Sequence, residues 1–217
     1  MDVYEALYTT RAMRRVNADP IALEVQKKIL DAAIRAPSGG NQQNWRFLLV
    51  DSAETKAEIA PLYRECLGNL WKSYYAPLIA AAAADPDNPE SKQFVRVRKS
   101  AQYLADHFED YPLMLFGFTK GDTSGSSIFP AIWNAQLAAR AEGVGSALTS
   151  VLTFAKDATF EALGVPADEG WVMNCCVTFG YPTGKWDVAA HRPVHEVSFH
   201  NQWGKPLPFT IPTPLWP

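Results

Sequence analysis

Apolar residues recur along the chain at two spacings, one typical of helices and the other typical of strands. The helical spacing is clearest between residues 22 and 36, at Leu23, Ile29, Leu30, Ala33 and Ile34. The same spacing predicts further helices at 2–9, 53–75, 91–109, 128–142 and 156–163. Short apolar runs predict strands at 46–50, 113–118, 147–151 and 171–179. Strands separated by helices in this way indicate an α/β or α+β sandwich.

Composition narrows this prediction to a single domain spanning residues 1–217. Apolar residues make up 47% of the chain and charged residues 20%, which is ordinary for a soluble protein with a sizeable core. The formal net charge of −3 disfavours nucleic acid as a partner, because such binding needs a basic face. Cys175 and Cys176 are adjacent in a predicted strand, so we expect buried free thiols that face opposite ways.

No segment of the sequence predicts a membrane or secretory location. The first residues are acidic and lack the long apolar stretch of a signal peptide. The apolar run at 76–84 is too short to span a bilayer. We therefore expect a cytoplasmic protein without membrane contact. His195 and His200 are five residues apart and do not share a helical face, so no metal site is predicted.

The end of the chain, about 199–217, has an unusual composition. It combines several large apolar residues with five prolines. A segment of this kind cannot form a core alone. We expect it to lie extended across another surface, which in an oligomer is often the partner subunit.

A cluster of three arginines, Arg11, Arg14 and Arg15, follows the first predicted helix. Guanidinium groups match phosphate oxygens bidentately and stay charged at all relevant pH values. The cluster is therefore a candidate clamp for a phosphate. A solvent-exposed basic turn explains the same residues equally well.

The connection from 37 to 45 joins a predicted helix to a predicted strand and is rich in polar groups. Ser38, Asn41 and Gln43 offer hydroxyl and amide groups that can pair with the alternating donors and acceptors of a flavin edge. Gly39 and Gly40 permit close approach of a ligand to the backbone. A simple Gly-Asn turn explains the glycines but not the adjoining amides. Together with the arginines, this loop suggests flavin mononucleotide (FMN) as a cofactor.

Several motifs, taken in order, resemble those of the FMN-dependent nitroreductase family. They are Arg11-Ala12-Met13-Arg14 and the stretches 36–47, 103–108, 129–134, 138–146, 180–182 and 191–197. Any one of these motifs is weak, but their order and spacing cover most of the chain. The resemblance implies an α+β fold, with a mixed and mainly antiparallel sheet surrounded by helices, in an intertwined homodimer. FMN would lie at the dimer interface, in a site built from both subunits.

The resemblance also implies which residues contact FMN. One subunit supplies the phosphate and pyrimidine side through Thr10, Arg11, Ala12, Met13 and Arg14, and the other supplies Pro37, Ser38, Gly39, Asn41 and Gln43. Leu148, Thr149 and Ser150 match the segment beside the other ring face and the ring nitrogen N5. His191 or Arg192 matches a further phosphate ligand, and the register between these two is open. Arg14 would tune the flavin electronically, because a cation stabilises the reduced ring.

Three positions depart from the family pattern. Thr10 replaces a common arginine or lysine, Ala12 replaces a common serine, and Asn44 replaces the usual proline. Ala12 removes a hydroxyl donor to the phosphate. Arg15 is a candidate to compensate for this loss.

The implied activity is that of an oxidoreductase that takes a hydride from NADH or NADPH and passes it to a small-molecule acceptor in a ping-pong cycle. Nitroaromatics, quinones and activated alkenes are the expected acceptors. Two alternatives remain open: another flavin enzyme of the same fold, such as a reductive dehalogenase or a flavin-consuming enzyme, and a flavin-storage protein. The sequence does not decide between NADH and NADPH, between two- and four-electron reduction, or which acceptor is physiological. The region 63–98 is either an aromatic lid, through Tyr63, Trp71, Tyr74, Tyr75 and Phe94, or ordinary helix packing.

Overall fold

The computed structural model of the chain describes residues 1–216. Over these residues the chain forms helices α1 (Val3–Thr9), α2 (Leu23–Ala33), α3 (Ala53–Lys72), α4 (Ala76–Ala84), α5 (Pro89–Asp106), α6 (Ile128–Ala141) and α7 (Lys156–Leu163). The strands are β1 (Trp45–Val50), β2 (Leu113–Thr119), β3 (Gly145–Thr149) and β4 (Val172–Gly180). No helix within this part of the chain has both the length and the apolar character needed to cross a membrane.

The four strands form one antiparallel sheet in the order β1-β2-β4-β3. β2 lies in the interior of the sheet, and all seven of its residues are buried. The continuous apolar run that predicted burial on both faces is therefore explained by its central position. The helices cover both faces of the sheet, so the predicted α+β fold class is confirmed.

Successive side chains of each strand face opposite sides of the sheet, so the interior consists of two apolar cores. Leu113 and Leu115 of β2 join α2 and α6 on one face, whereas Met114 and Phe116 join α3 and α5 on the other. On β4, Cys175 lies in the first core and Cys176 in the second, as predicted for adjacent strand residues. Burial raises the pKa of the Cys175 thiol to about 12. Both groups therefore remain protonated thiols at neutral pH.

Element boundaries differ from the sequence-based expectation at α3, α5 and β3. The helix expected at 53–75 ends at Lys72, the apolar run 76–84 forms α4, and the helix expected at 91–109 is Pro89–Asp106. The break between α3 and α4 lies at Ser73, whose φ of −116° and ψ of −87° are not helical, and Pro77 lies in the first turn of α4, where proline is tolerated. β3 was expected at 147–151 but begins at Gly145, because Gly145 pairs with Gly180 at the end of β4.

The segment between α1 and α2 crosses the sheet directly above the Gly145–Gly180 pair. The Met13 amide donates to the Ser146 carbonyl at 2.9 Å. A Cβ atom at Gly145 would lie 2.8 Å from the Met13 Cβ, and one at Gly180 would lie 2.5 Å from a Val16 methyl carbon. Real Cβ atoms do not approach neighbours this closely, so the crossing requires glycine at both positions. This contact sets the position of Arg14.

The C-terminal segment runs back along the outside of the chain. His195 lies in a short turn, and its Nδ1 accepts from the Ile211 amide at 3.2 Å. The ring of Trp216 lies 5.9 Å from that of Tyr8 in α1. Trp203, in contrast, is 92% exposed. Packing of 199–217 on a partner subunit stays a prediction, and Pro217 lies outside the described residues.

Candidate functional site

The candidate site is a hollow of about 240 Å³ between the end of β3 and helices α3 and α5, which we call the Arg14 hollow. Arg14, Tyr63 and Thr149 contribute its polar groups. Trp71, Tyr75 and Phe94 contribute aromatic side chains, and Leu148 and Val151 are among its apolar ones. Small-molecule sites usually have volumes of about 300–1,000 Å³. The hollow of one chain is therefore smaller than a complete cofactor site.

Arg14 lines this hollow and also a neighbouring depression beside Tyr103 and Tyr111, and it carries a buried donor atom without a partner in the part of the chain that the structure describes. Its Nη1 donates to the Ser100 hydroxyl at 3.3 Å, and its own carbonyl accepts from the Tyr111 hydroxyl at 2.5 Å. Its Nε is buried and has no hydrogen-bond partner within residues 1–216. An unsatisfied buried donor costs about 1–3 kcal/mol, and more where the group is charged. A ligand that presents an acceptor here would remove that cost.

Tyr63 and Thr149 form a hydrogen-bonded pair in the wall of the same hollow. Their hydroxyl oxygens are 3.1 Å apart, and the Thr149 oxygen also accepts from the Val151 amide at 3.3 Å. The Tyr63 ring is stacked on Phe108 with a centroid separation of 4.2 Å, and only 2% of Tyr63 is exposed. Burial raises the pKa of Tyr63 to about 12, so its hydroxyl is neutral throughout the physiological range.

The aromatic residues suggested as a lid occupy different places around the hollow. Trp71 and Tyr75 contact each other at a centroid distance of 4.9 Å, and Phe94 lies 6.4 Å from Tyr75. These three line the hollow, and the Trp71 indole nitrogen donates to Gln102 at 2.9 Å. Tyr63 also lines the hollow through its hydroxyl group, whereas Tyr74 projects outwards, so four of the five suggested residues face the hollow.

The three clustered arginines have separate partners within one chain. Arg11 donates to the Lys185 carbonyl at 3.0 Å, and the Arg15 guanidinium lies 4.5 Å above the Tyr103 ring. Arg14 faces the hollow already described. A phosphate clamp made of all three would therefore require rearrangement of Arg11 or Arg15.

The residues expected at the phosphate end lie near the C-terminal segment. Thr10, His191 and Arg192 line a second depression of about 440 Å³, together with residues of the tail. Arg192 donates to Glu196 at 3.3 Å, whereas His191 is exposed. Both side chains line this depression with Thr10, so the structure does not decide which of them contacts a phosphate. Ala12 is exposed, and Met13, which belongs to the crossing segment, is buried against Gly145.

The polar loop from Pro37 to Gln43 lies away from Arg14 within one chain. It precedes β1, whereas Thr149 ends β3, and these strands are opposite edges of the sheet. Three steps between strands separate them by about 14 Å. The loop instead lines a depression with Ser127, whose hydroxyl accepts from the Gly39 amide at 3.3 Å. Within one chain the loop and Arg14 therefore line separate depressions.

Three residues of the same loop have left-handed backbone conformations. Gly40 has φ of 57°, Asn41 of 54° and Gln43 of 51°. Asparagine tolerates this conformation, but a glutamine there is uncommon. The Ser38 hydroxyl accepts from the Gln43 amide at 3.1 Å and stabilises the turn. Ser150, the remaining residue of the expected set, is exposed just after β3.

Sequence reasoning did not identify the Tyr63–Thr149 contact as part of the site. Tyr63 is a lid candidate and Thr149 a candidate flavin contact, but the two are 86 positions apart and no sequence pattern pairs them. Only the packing of α3 against the end of β3 brings their hydroxyl groups together.

Comparison with known proteins agrees with the family resemblance found in the sequence. A sequence model of the Nitroreductase family matches residues 7–181. The 5,6-dimethylbenzimidazole synthase of Rhodospirillum rubrum is 31% identical over 196 residues, which cover 83% of this chain and 82% of that protein.

Solved structures share the fold at low sequence identity. An iodotyrosine deiodinase bound to FMN and 3-iodo-L-tyrosine superposes with a TM-score of 0.68 at 20% identity, covering 88% of this chain and 95% of that one. The FMN-dependent nitroreductase NfnB of Mycobacterium smegmatis, in complex with NADPH, has a TM-score of 0.66 at 17% identity, with coverages of 92% and 97%.

Proposed function

The chain belongs to the nitroreductase family, and we propose that it is an FMN-dependent oxidoreductase whose flavin binds beside Arg14. The observation that carries this proposal is Arg14, which lines the hollow and whose buried Nε has no hydrogen-bond partner within residues 1–216. The pyrimidine edge of a flavin presents oxygen and nitrogen acceptors, which are the groups that this donor lacks. The residues present therefore fit the cofactor.

The other expected contacts fall into two groups around this donor. Leu148 and Thr149 line the hollow on the side of β3. Thr10, Arg11 and one of His191 and Arg192 would hold the phosphate. The loop at 37–43 would come from a second copy of the chain, because the sheet separates it from Arg14. This arrangement supports a homodimer.

When bound, FMN supplies hydride transfer between NADH or NADPH and an electron-poor acceptor. Arg14 contributes a fixed positive charge in a partly buried place, where electrostatic interactions are stronger than in water. A cation there stabilises the negative charge of a reduced ring and raises its reduction potential. Trp71, Tyr75 and Phe94 give the hollow an aromatic, apolar wall, which supports aromatic acceptors such as nitroaromatics and quinones.

One relative supports a second candidate function. The 5,6-dimethylbenzimidazole synthase matches this chain over most of both lengths. A flavin-consuming activity is therefore the main alternative to reduction of an external acceptor. The two differ in the fate of FMN, which is recovered in the first case and lost in the second.

An anaerobic titration tests the proposed activity. Protein mixed with FMN is titrated with NADH and, separately, with NADPH while the visible spectrum is recorded. We expect the yellow colour to bleach and to return on addition of a nitroaromatic or a quinone. Loss of FMN in air would identify the flavin-consuming alternative. A bound flavin that neither nicotinamide bleaches would identify a storage protein and refute the proposed activity.

A binding measurement tests the position of the flavin. Arg14→Gln should weaken FMN binding roughly 10- to 100-fold, since hydrogen bonds to charged groups contribute about 1.5–3 kcal/mol. Quenching of FMN fluorescence measures the affinity. Arg35→Gln is the matched control, because Arg35 pairs with Asp31 on the surface of α2. Equal affinities for wild type and Arg14→Gln would place the flavin elsewhere.

A further inference from the structure

Helix α5 separates the Arg14 hollow from another cavity on its opposite side. The stripe of α5 that lines the hollow consists of Phe94, Val97, Ala101 and Leu104. A different stripe, which includes Arg98, Lys99, Gln102, Tyr103 and Asp106, joins Arg15 around a depression of about 420 Å³ that we call the Arg15 depression. Within each stripe, neighbours are three or four residues apart and therefore share a helical face. The two cavities thus have α5 as a common wall.

The Arg15 depression is positively charged although the protein is acidic overall. Arg15, Arg98 and Lys99 supply three cations, whereas Asp106 supplies one carboxylate, which leaves an excess of two positive charges. None of the three cations forms an ion pair with a carboxylate in the described part of the chain. The formal net charge of the whole chain is −3. A concave surface lined by unpaired cations attracts an anion.

Aromatic rings hold two of these cations in place. The Arg15 guanidinium lies 4.5 Å above the centre of the Tyr103 ring, and that of Arg98 lies 5.7 Å from the centre of the Trp71 ring. Stacking on a ring face leaves the N–H donors at the edge of a guanidinium available for oxygen ligands. Trp71 also lines the Arg14 hollow, so Arg98 lies where the two cavities approach each other.

A ligand that occupies both cavities must be long, with a flat ring at one end and an anion at the other. A helix with its side chains is about 10–12 Å across, and this width separates the two stripes of α5. A nitroaromatic or a quinone is too small to span that distance. A nicotinamide dinucleotide spans it, because a pyrophosphate joins its redox ring to a distant adenosine. NADPH differs from NADH by a phosphate monoester on the adenosine ribose, and such a group carries about two negative charges.

We propose that the Arg15 depression binds the 2′-phosphate of NADPH and makes NADPH the preferred electron donor over NADH. This inference rests on the proposed function. The excess of two positive charges matches a dianionic monoester, and guanidinium groups bind phosphate oxygens in pairs. The phosphate takes no part in hydride transfer, so Arg98 and Lys99 determine specificity through binding alone.

Steady-state reduction of a quinone with each nicotinamide tests the preference. Wild type should use NADPH with a kcat/KM at least about 10-fold above that for NADH. Arg98→Gln should lower kcat/KM for NADPH about 10-fold, because it removes a charge-assisted hydrogen bond, and should leave the value for NADH within about twofold. Arg96→Gln is the matched control, since Arg96 is exposed on the same helix and lies outside the residues that line the depression.

Calorimetric titration of the FMN-loaded protein measures the same site without turnover. The probes are adenosine 2′,5′-bisphosphate, which carries the 2′-phosphate of NADPH, and adenosine 5′-monophosphate, which lacks it. The bisphosphate should bind wild type roughly 10-fold more tightly than the monophosphate. Arg98→Gln should abolish this difference, whereas Arg96→Gln should keep it.

Three results would overturn the inference. The first is a kcat/KM for NADPH that does not exceed that for NADH, and the second is equal affinity for the two adenosine phosphates. The third is an equal loss with both nicotinamides in Arg98→Gln, which would place their shared pyrophosphate in the depression. Failure of the proposed function has a different signature, because the bisphosphate would still bind through Arg98 while neither nicotinamide bleached the flavin.

Discussion

Replacement of Gly180 by alanine places a methyl group where the crossing segment has no room. The new Cβ would lie 2.5 Å from one Val16 methyl carbon, 2.6 Å from the Val16 Cβ and 3.1 Å from the other methyl carbon. Rotation about χ1 cannot relieve the contact with Cβ, and valine has few alternative rotamers in any case. The backbone at Val16 must therefore move.

The required movement follows from the distances. Ordinary carbon contacts are about 3.4–4 Å, so the segment must shift by about 1 Å. A shift of that size lengthens the bond from the Asn17 amide to the Tyr181 carbonyl, now 2.8 Å, and that from the Thr183 amide to the Arg15 carbonyl, now 3.0 Å. Both would then exceed normal hydrogen-bond length.

Overpacking costs about 1–3 kcal/mol and each weakened hydrogen bond about 1 kcal/mol. We therefore expect Gly180→Ala to destabilise the fold by roughly 3–5 kcal/mol, which for a chain of this size lowers the melting temperature by about 6–20 °C. FMN should also bind more weakly, because Arg14 lies in the displaced segment.

Thermal unfolding by circular dichroism and FMN fluorescence titration measure the two effects. Gly68→Ala is the control, since a Cβ at Gly68 meets no atom within 4 Å in the interior of α3. This control should stabilise the helix by about 0.5–1 kcal/mol. If Gly180→Ala melts with wild type and binds FMN equally well, the close crossing does not constrain Arg14.

Three further predictions concern other parts of the chain. Asp122→Ala should lower stability by about 1 kcal/mol at pH 7, because the carboxylate accepts from the Ser127 amide at 2.9 Å before α6. The hydrogen bond from the Ser127 amide lowers the Asp122 pKa to about 2. The stabilisation by the ionised carboxylate is therefore complete above the ordinary pKa near 3.8 and is lost as the pH falls towards 2. Acid-unfolding curves of Asp122→Ala should lack this loss of stability between pH 3.8 and 2. Trp71→Ala and Tyr75→Ala should raise KM for nitroaromatics in steady-state assays with little change in FMN affinity, and an unchanged acceptor profile would show that these rings serve only helix packing. Removal of 199–217 should lower the sedimentation coefficient towards that of a monomer, whereas an unchanged value would remove the tail from the subunit interface.

Local chemistry explains why much of the fold could be predicted from the sequence. The buried run of β2 and the spacing of apolar residues in α2 depend on neighbours in sequence, and both were confirmed. The helix predicted at 156–163 is α7, and the φ of 65° at the following Gly164 is the left-handed conformation that glycine favours after a helix.

Contacts between distant segments account for what the sequence did not predict. The start of β3 depends on pairing between Gly145 and Gly180, which no local pattern shows. The directions of Arg11 and Arg15 depend on Lys185 and Tyr103, which are far away in sequence. For the site, the sequence indicated the β3 segment and Arg14, but the unpartnered Nε became visible only once the surrounding helices were in place.

The burial of Cys175 and Cys176 would protect these thiols from oxidation during flavin-dependent turnover in the presence of dioxygen. Flavins reduced in the presence of dioxygen release hydrogen peroxide, which attacks thiolates far faster than thiols. Both side chains are enclosed in the two cores and held in the unreactive protonated form. Under the proposed function, turnover in air should therefore proceed without sulfenic acid formation at Cys175 or Cys176.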